Sequence, residues 1–421
     1  MKAWMTKLRR VASFVRRFFV EVSNKGFKIA ATNTLFYTAS KLRQFVDADD
    51  KVCSQSKVNV QEFVFEEMRK DPVAESQVRT ICFYLPQFHP IPENDLWWGE
   101  GFTEWTNVVR ARPLFTGHQQ PRLPGSLGFY DLRLVETMKS QASLAKRYGV
   151  SGFCFHHYWF MGRRLLERPV EQFLVTPDID IGFCLCWANE TWTRRWDGND
   201  RHVLIAQNYS RQDEIVFIEH LKSFFRDRRY MRVNGRPLVV VYNPGDLSDS
   251  HRMLSTWRQA CESEFGGLYV VKALTHWSSS RLQGFDSCVQ FPPHCHHGHM
   301  IQKDGTDQSF NGVLCSYPEM AKGYCRELKA GKSIIPCVSP GWDNTPRLRE
   351  RAVIYADATP NAFAEWFRTA KSHALAKTDP SKGLVFVNAW NEWAEGAFLE
   401  PDAVHGYAYL NRIGSVLDGH G

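Results

Sequence analysis

The sequence predicts an α/β protein: a (β/α)8 barrel of TIM type behind a basic, mainly helical N-terminal extension. Three observations carry this reading. Eight short apolar runs, rich in β-branched and aromatic residues, alternate with helical segments over about 340 residues, the size of such a barrel with insertions. The runs are almost continuously apolar rather than alternating, which suits strands buried on both faces of a parallel sheet. The first run leads into Leu85-Pro86-Gln87-Phe88-His89-Pro90, with no G-x-G-x-x-G after it and no P-loop elsewhere. That disfavours a doubly wound nucleotide-binding sheet.

The expected strands are 79–85, 150–156, 181–187, 237–242, 268–274, 286–291, 334–339 and 384–390. Helical spacing falls between them at 131–148, 167–176, 211–228, 250–264, 317–330 and 359–376, with a short helix about 277–282 and a closing helix at 404–417. Three regions result: a basic amphipathic arm (1–46), a polar linker (47–78) with a short helix about Glu62–Lys70, and the barrel (79–421).

At 43% hydrophobic and 23% charged, the 421-residue chain is neither disordered nor fibrous. The net charge of +7 is unevenly placed: residues 1–46 hold ten Lys and Arg against Glu21 alone, so the remainder is slightly acidic. A nucleic-acid-binding body is therefore not expected. In the arm, Val11, Phe14, Val15, Phe18, Phe19 and Val22 share one helical face and Arg9, Arg10, Arg16, Arg17 and Lys25 supply the polar side. Such a helix docks on protein or lies on an anionic membrane. No run of 18 uncharged apolar residues occurs, and Arg16-Arg17 break the only signal-like stretch. The 11 cysteines follow no disulfide framework, and Cys82, Cys154, Cys184, Cys186, Cys288 and Cys337 sit inside apolar runs as small hydrophobes. A cytoplasmic protein is expected, peripheral at the inner face of the membrane if the arm binds there.

In barrels of this kind the loops after the strands build the active site. Eleven of the 14 tryptophans lie there (Trp97, Trp98, Trp105, Trp159, Trp187, Trp192, Trp196, Trp277, Trp342, Trp390 and Trp393). Indoles around one mouth suit stacking on sugar C–H faces. Polar candidates fall in the same places. Tyr84 ends the first strand, with Glu100 and Glu104 beyond it in WWGEGFTEW. His156, His157 and Tyr158 end the second. Asn189, Glu190, Arg194, Arg195 and Asp197 follow the third, and Trp342, Asp343 and Asn344 the seventh. The eighth ends in Asn388, Trp390, Asn391, Glu392, Trp393, Ala394, Glu395 and Gly396, with Glu400 beyond. Two carboxylates three residues apart at a barrel mouth converge on one small ligand. Carboxyls with separated pKa values are what glycosidic bond chemistry needs.

At these residues the chain resembles the WbsX-type proteins of bacterial surface-polysaccharide gene clusters, described as glycosyltransferases with a glycoside hydrolase family 99-like domain. The segments are FYLPQFHPIPENDLWWGEGFTEWTNV (83–108), GVSGFCFHHYWF (149–160), FCLCWANETWTRRWDG (183–198) and NAWNEWAEG (388–396), within a resemblance spanning roughly 79–417. It implies a retaining enzyme of lipopolysaccharide, O-antigen or capsule biosynthesis, without cofactor, acting on an oligosaccharide or polysaccharide. Glu392 would be the base that deprotonates the sugar 2-hydroxyl, giving a 1,2-anhydro intermediate. Glu395 would be the acid that protonates the leaving oxygen and then activates the acceptor. Ala394 stands where the hydrolases carry His. By their places at the strand ends, the expected substrate contacts are Tyr84, Trp98, Glu100, Glu104, Trp105, His156, His157, Tyr158, Trp187, Asn189, Glu190, Trp342, Asp343, Trp390, Asn391 and Trp393. Attack by O2 needs the 2-hydroxyl trans to the leaving group, so an α-manno or α-rhamno sugar is expected.

Two alternatives stay open. Asn189-Glu190 resembles the acid/base pair of other barrel glycosidases, with Glu392 then a nucleophile. A non-catalytic glycan-binding or scaffolding barrel uses the same residues as hydrogen-bonding groups. His294, Cys295, His296, His297 and His299 fit no familiar zinc spacing, and no metal is expected. Asp178-Ile179-Asp180 precedes the third strand, at the wrong end of a barrel, and Asp47-Ala48-Asp49 lies in the linker. No G-x-S-x-G supports serine chemistry.

Overall fold

The computed structural model describes residues 65–419 except 195–198, 276–280, 295–297 and 331–333. The expected N-terminal arm, Arg195, Trp196, Asp197, Trp277 and the 295–297 centre of the histidine cluster therefore lie outside the described residues.

All eight expected strands are present: β1 (Arg79–Tyr84), β2 (Val150–Phe160), β3 (Gly182–Trp187), β4 (Arg236–Val241), β5 (Tyr269–Leu274), β6 (Ser287–Gln290), β7 (Cys337–Val338) and β8 (Leu384–Val387). They run parallel, and neighbours in the chain are neighbours in the sheet. The ring closes where β8 pairs with β1, from Arg79↔Leu384 to Cys82↔Val387. Between β6 and β7 a single bridge, Val289↔Ile335, completes it, with Ile335 N–H donating to Cys288 O at 2.8 Å. Gly152 and Gly182 face each other in the β2–β3 register. A Cβ on Gly152 would stand 2.5 Å from Met231 Sδ and 2.8 Å from Gly182 O, so this close approach excludes a side chain.

Helices cover the outside: α1 (Pro92–Trp98) and α2 (Glu104–Val108) in the long β1–β2 connection, then α3 (Val135–Arg147), α4 (Arg168–Leu174), α5 (Arg211–Phe225), α6 (Ser250–Phe265), α7 (Tyr317–Lys329), α8 (Thr345–Leu348), α9 (Pro360–Ala376) and α10 (Ala408–Leu417). Their starts are written in side chains. Ser210, Asp249, Ser316 and Thr359 each accept the N–H three residues on, a cap that contributes about 1 kcal/mol. α3 begins four residues later than expected because Asp131 Oδ1 accepts Arg133 N–H and holds a turn there. α10 likewise begins at Ala408, after Asp402 Oδ1 has taken the N–H groups of Val404 and His405. A small side sheet joins Val313–Ser316, Val353–Ala356 and Trp342–Asp343 beyond the barrel's C-terminal face.

The short helix expected about Glu62–Lys70 is not found over residues 65–70. That stretch is an extended strap instead. Glu66 exchanges backbone bonds with His405 and Tyr407 and pairs with Arg412 at 2.7 Å, and Arg69 pairs with Asp418 at 2.6 Å. Long-range ion pairs and backbone bonds here outweigh a local helical preference too short to nucleate alone. Gly414 makes room: a Cβ there would meet Arg69 Nη1 at 2.0 Å.

Along β2 the side chains alternate. His156 faces inward, over Phe83 (centroids 5.8 Å) and Tyr242 (6.3 Å). His157 faces outward and stacks on His220 of α5 at 5.2 Å, while Trp159 donates to Asp213 Oδ1 at 2.9 Å. Burial holds His157 neutral, its pKa pushed down to about 3, and His220 to about 4, with Arg164 adding to both shifts. Below pH ~6.5 the unfolded chain takes up protons that the folded chain refuses. Stability should therefore fall as pH drops from about 6.5 toward 4. Urea midpoints measured across that window should fall less steeply in His157→Phe than in the wild type.

Candidate active site

The segment after β8 sets the site. Asn391–Glu392 pairs with Ala397–Phe398, and Trp393–Glu395 between them forms one 3₁₀ turn. Glu392 stands just before the turn (φ −79°, ψ 64°) and Glu395 ends it, so the two carboxyls flank a single turn. Gly396 ends the turn at φ 61°, where a Cβ would lie 3.0 Å from Asp343. Asn391 acts as a surrogate backbone: its Oδ1 accepts Leu85 N–H at 2.8 Å and its Nδ2 donates to Leu85 O at 3.0 Å. The eighth strand's exit is thereby fixed to the first's.

Three carboxylates meet one guanidinium. Arg347 of α8 donates through Nε to Glu104 of α2 (3.3 Å), through Nη2 to Glu392 (3.2 Å) and through Nη1 to Glu395 (2.5 Å). The Glu104 side chain is 0% exposed, Glu392 9%, Arg347 12% and Glu395 21%, so the cluster has a floor and an opening, and Glu395 stands at the opening. Burial raises the pKa of all three acids, and the attraction of Arg347 offsets this only in part. For Glu395 the balance, with Glu392 repelling it, lies at about 7. Burial works against the charge on Arg347, but Glu104, Glu395 and Glu392 together outweigh it. From β2, His156 and Tyr158 face the same acids: burial and the Glu392 charge push the Tyr158 phenol up. Burial opposes a charge on His156, while a bond to Cys186 and the nearby Glu392 and Glu395 favour it.

Asp343 seats the helix that carries Arg347. Its Oδ1 accepts Thr345 N–H (3.1 Å) and Thr345 Oγ1 (2.6 Å), and its Oδ2 meets His118 Nε2 (2.7 Å) and accepts Gln120 Nε2 (2.6 Å). His118 accepts Leu114 N–H at Nδ1, so Nε2 carries the proton it donates. A parallel support lies under the turn. Trp393 stacks on Phe398 at 3.7 Å and donates to Glu400, which also accepts from Tyr130 (2.9 Å) and Gln141 (2.7 Å).

The structure thus brings Glu104, His156, Tyr158, Glu392 and Glu395 together. It places the other expected site residues elsewhere. Tyr84 turns outward, its hydroxyl donating to Gln141 of α3 at 2.6 Å. His157 and Trp187 pack outward on α5, Trp187 against Phe217 at 4.8 Å. Pleat parity decides all three. Asn189 clamps the backbone of Asn243, accepting its N–H (2.8 Å) and donating to its O (2.7 Å), while Glu190 is exposed. Trp98 is half-buried at the rim, with the Arg194 guanidinium 5.4 Å over its ring, and Glu100 is exposed beside it in the chain.

The tryptophans mostly support the mouth rather than wall it. Trp390 is 0% exposed and Trp393 1%, whereas Trp97, Trp98 and Trp192 alone among the described ones at the mouth are half-buried. Trp105 is buried between Phe88 and Trp393 and donates to Tyr130 O, and Trp342 is buried in the side sheet. Sequence reasoning missed Arg347. Its signal is a proline-started helix, Thr345-Pro346-Arg347-Leu348, directly after the seventh strand's Trp342-Asp343-Asn344. A hollow of about 470 Å3 at the opposite, N-terminal end of the barrel, lined by Gln77, Arg79, Asn234 and Lys382 among others, contains none of these acids.

Two curated relatives, each named uncharacterized protein WxcX and from two strains of Xanthomonas campestris pv. campestris, are 45% identical over 342 residues, 80% of this chain and 49% of theirs. The chain spans about half the length of these relatives. Among solved structures, a glycoside hydrolase-like protein matches with a TM-score of 0.52 at 16% identity, over 85% of this chain and 98% of that one. The GH99 endo-α-mannosidase of Bacteroides thetaiotaomicron, solved with bis-tris-propane, matches with a TM-score of 0.51 at 15% identity, over 82% and 98%. At these identities the likeness is one of fold, the (β/α)8 barrel. The model of the family described as Glycosyltransferase WbsX matches residues 80–413, and the chain belongs to that family.

Proposed function

We propose that this carbohydrate-active enzyme acts with retention on α-manno-configured glycans in bacterial surface-polysaccharide assembly, with Glu392 as base and Glu395 as acid. One observation carries the reading. Glu392 and Glu395 flank one turn and share one guanidinium in a buried acid cluster, with Glu395 at its opening. Glu392 takes the proton of the sugar 2-hydroxyl as O2 attacks C1 from the face opposite the leaving group. Glu395 gives its proton to the departing oxygen. The ring so formed reopens when Glu395 takes a proton from the acceptor hydroxyl and Glu392 returns one to O2, leaving the configuration at C1 as it began. Water and a sugar hydroxyl serve equally as acceptor in this scheme, so transfer and hydrolysis differ only in what occupies the acceptor site.

A carboxyl that holds its proton to about pH 7 suits the acid's part. The alternative, Asn189-Glu190 as the Asn-Glu acid/base motif with Glu392 as nucleophile, has less support, since Asn189 spends its amide on Asn243. We assign the work to the cytoplasm, with residues 1–46 as the contact to the inner membrane face or to an assembly protein. Among the described residues no helix is long and apolar enough to cross a membrane.

Incubation with defined oligosaccharides, with and without an acceptor sugar and read by product mass, tests the reading. α-Mannosyl or α-rhamnosyl substrates should be turned over and α-glucosides, whose 2-hydroxyl is cis to the leaving group, should not. On an active substrate Glu392→Gln and Glu395→Gln should each lower kcat by about 10² to 10⁴, whereas Glu190→Ala should stay within a few-fold of wild type. In a pH–rate profile the alkaline limb should fall near pH 7, as Glu395 loses the proton it must donate.

A further inference from the structure

We propose that Arg347 is the positioning residue of the Glu392/Glu395 pair and that Glu104 is its anchor, an inference that rests on reading the pair as base and acid. The guanidinium has a donor for each of three acids, and the acids come from two separate segments. Nε, nearest the side-chain stem, bonds Glu104 at the closed floor, while the two Nη groups reach the pair toward the opening. A sugar that enters between Glu392 and Glu395 can therefore displace either Nη bond without releasing Arg347. The stem is fixed as well: Arg347 follows Pro346 in a four-residue helix whose first residue, Thr345, is tied to Asp343 by two bonds.

The arrangement is more than neutralisation. One guanidinium beside three carboxylates leaves an excess of negative charge, which favours a proton on the cluster. When Glu395 gives that proton to the leaving oxygen, the negative charge that appears on it lies on Nη1 of Arg347, a donor already in place. Fixed donors aimed at developing charge lower a barrier because nothing must reorient. Glu104 touches neither leaving group nor acceptor in this scheme; it acts through Arg347. Among the described residues, the other titratable groups facing the pair are His156 and Tyr158 from β2, with the Cys186 thiol of β3 behind His156.

The test reads the carboxyls directly. In the full chain labelled with 13C at glutamate side-chain carboxyls, Glu392→Gln and Glu395→Gln assign the two resonances. In Arg347→Gln both should titrate higher by a unit or more, as expected when a cation at hydrogen-bond distance is removed. Arg347→Lys should restore much of that shift but not the fork, so on an active glycan kcat should stay at least tenfold low while the pH profile returns toward wild type. Should Arg347→Gln fail to fold, Glu104→Gln is read in its place: with an anion gone and the cation kept, both carboxyls should titrate lower. Unchanged titration of Glu392 and Glu395 in whichever of these folds overturns the proposal. The titration needs no substrate, so a chain that turns over no glycan yet shows these shifts refutes the proposed function and leaves the hold of Arg347 on the pair standing.

Discussion

Burying a guanidinium among three carboxylates is the constraint to which this face of the barrel is fitted. Each of these groups is costly to remove from water unless its partners sit at hydrogen-bond distance. Glu104, Arg347 and the Glu392/Glu395 turn follow β1, β7 and β8, which are consecutive around the ring only because β8 pairs with β1. Asn391 makes that seam exact at the site by bonding both backbone groups of Leu85. His156 and Tyr158 come from β2, the next strand round. The acid cluster therefore occupies one sector of the barrel, and the far sector, β3 to β5 with α5 and α6, is given over to aromatic packing around Phe217 and Trp257.

The strands were legible because burial on both faces leaves an apolar run that no other element needs, and each expected run contains a strand. The same fact hid the parity. In a run such as Val150–Phe160, with no polar alternation, nothing local says whether His156 or His157 points inward; the register with β1 and β3 decides it, and that is a property of the closed sheet. Tyr84 and Trp187 were misplaced for the same reason. The Glu392/Glu395 spacing was readable since it needs only one turn. Arg347 was not, because its partners lie 243 residues before it and 45 and 48 after, and no short motif spans such gaps.

The indoles show a related limit of reading by residue type. Tryptophan gathers at this mouth, yet Trp390 and Trp393 are sealed. A large flat side chain with one N–H is as useful for holding a loop as for stacking on a sugar. Trp393 does the former: its N–H goes to Glu400 and its ring to Phe398, and together they set the turn that aims Glu392 and Glu395.

Asp343 and Glu400 explain why that turn can carry an acid at all. Both are buried carboxylates with several donors, and burial alone would raise both. Asp343 meets His118 and the charge of Arg122, and is driven down to about 2. Glu400 has only neutral donors, Trp393, Tyr130 and Gln141, and stays at about 7. Beside its hydrogen bonds Asp343 has the charge of Arg122, whereas the groups that lower Glu400 are neutral. Glu395 lies between these cases. It has a cation at 2.5 Å, but Glu104 and Glu392 draw on the same charge, and its own pKa comes to rest where Glu400's does. Sharing one guanidinium three ways holds the Glu395 carboxyl in place while burial and the Glu392 charge keep its pKa raised.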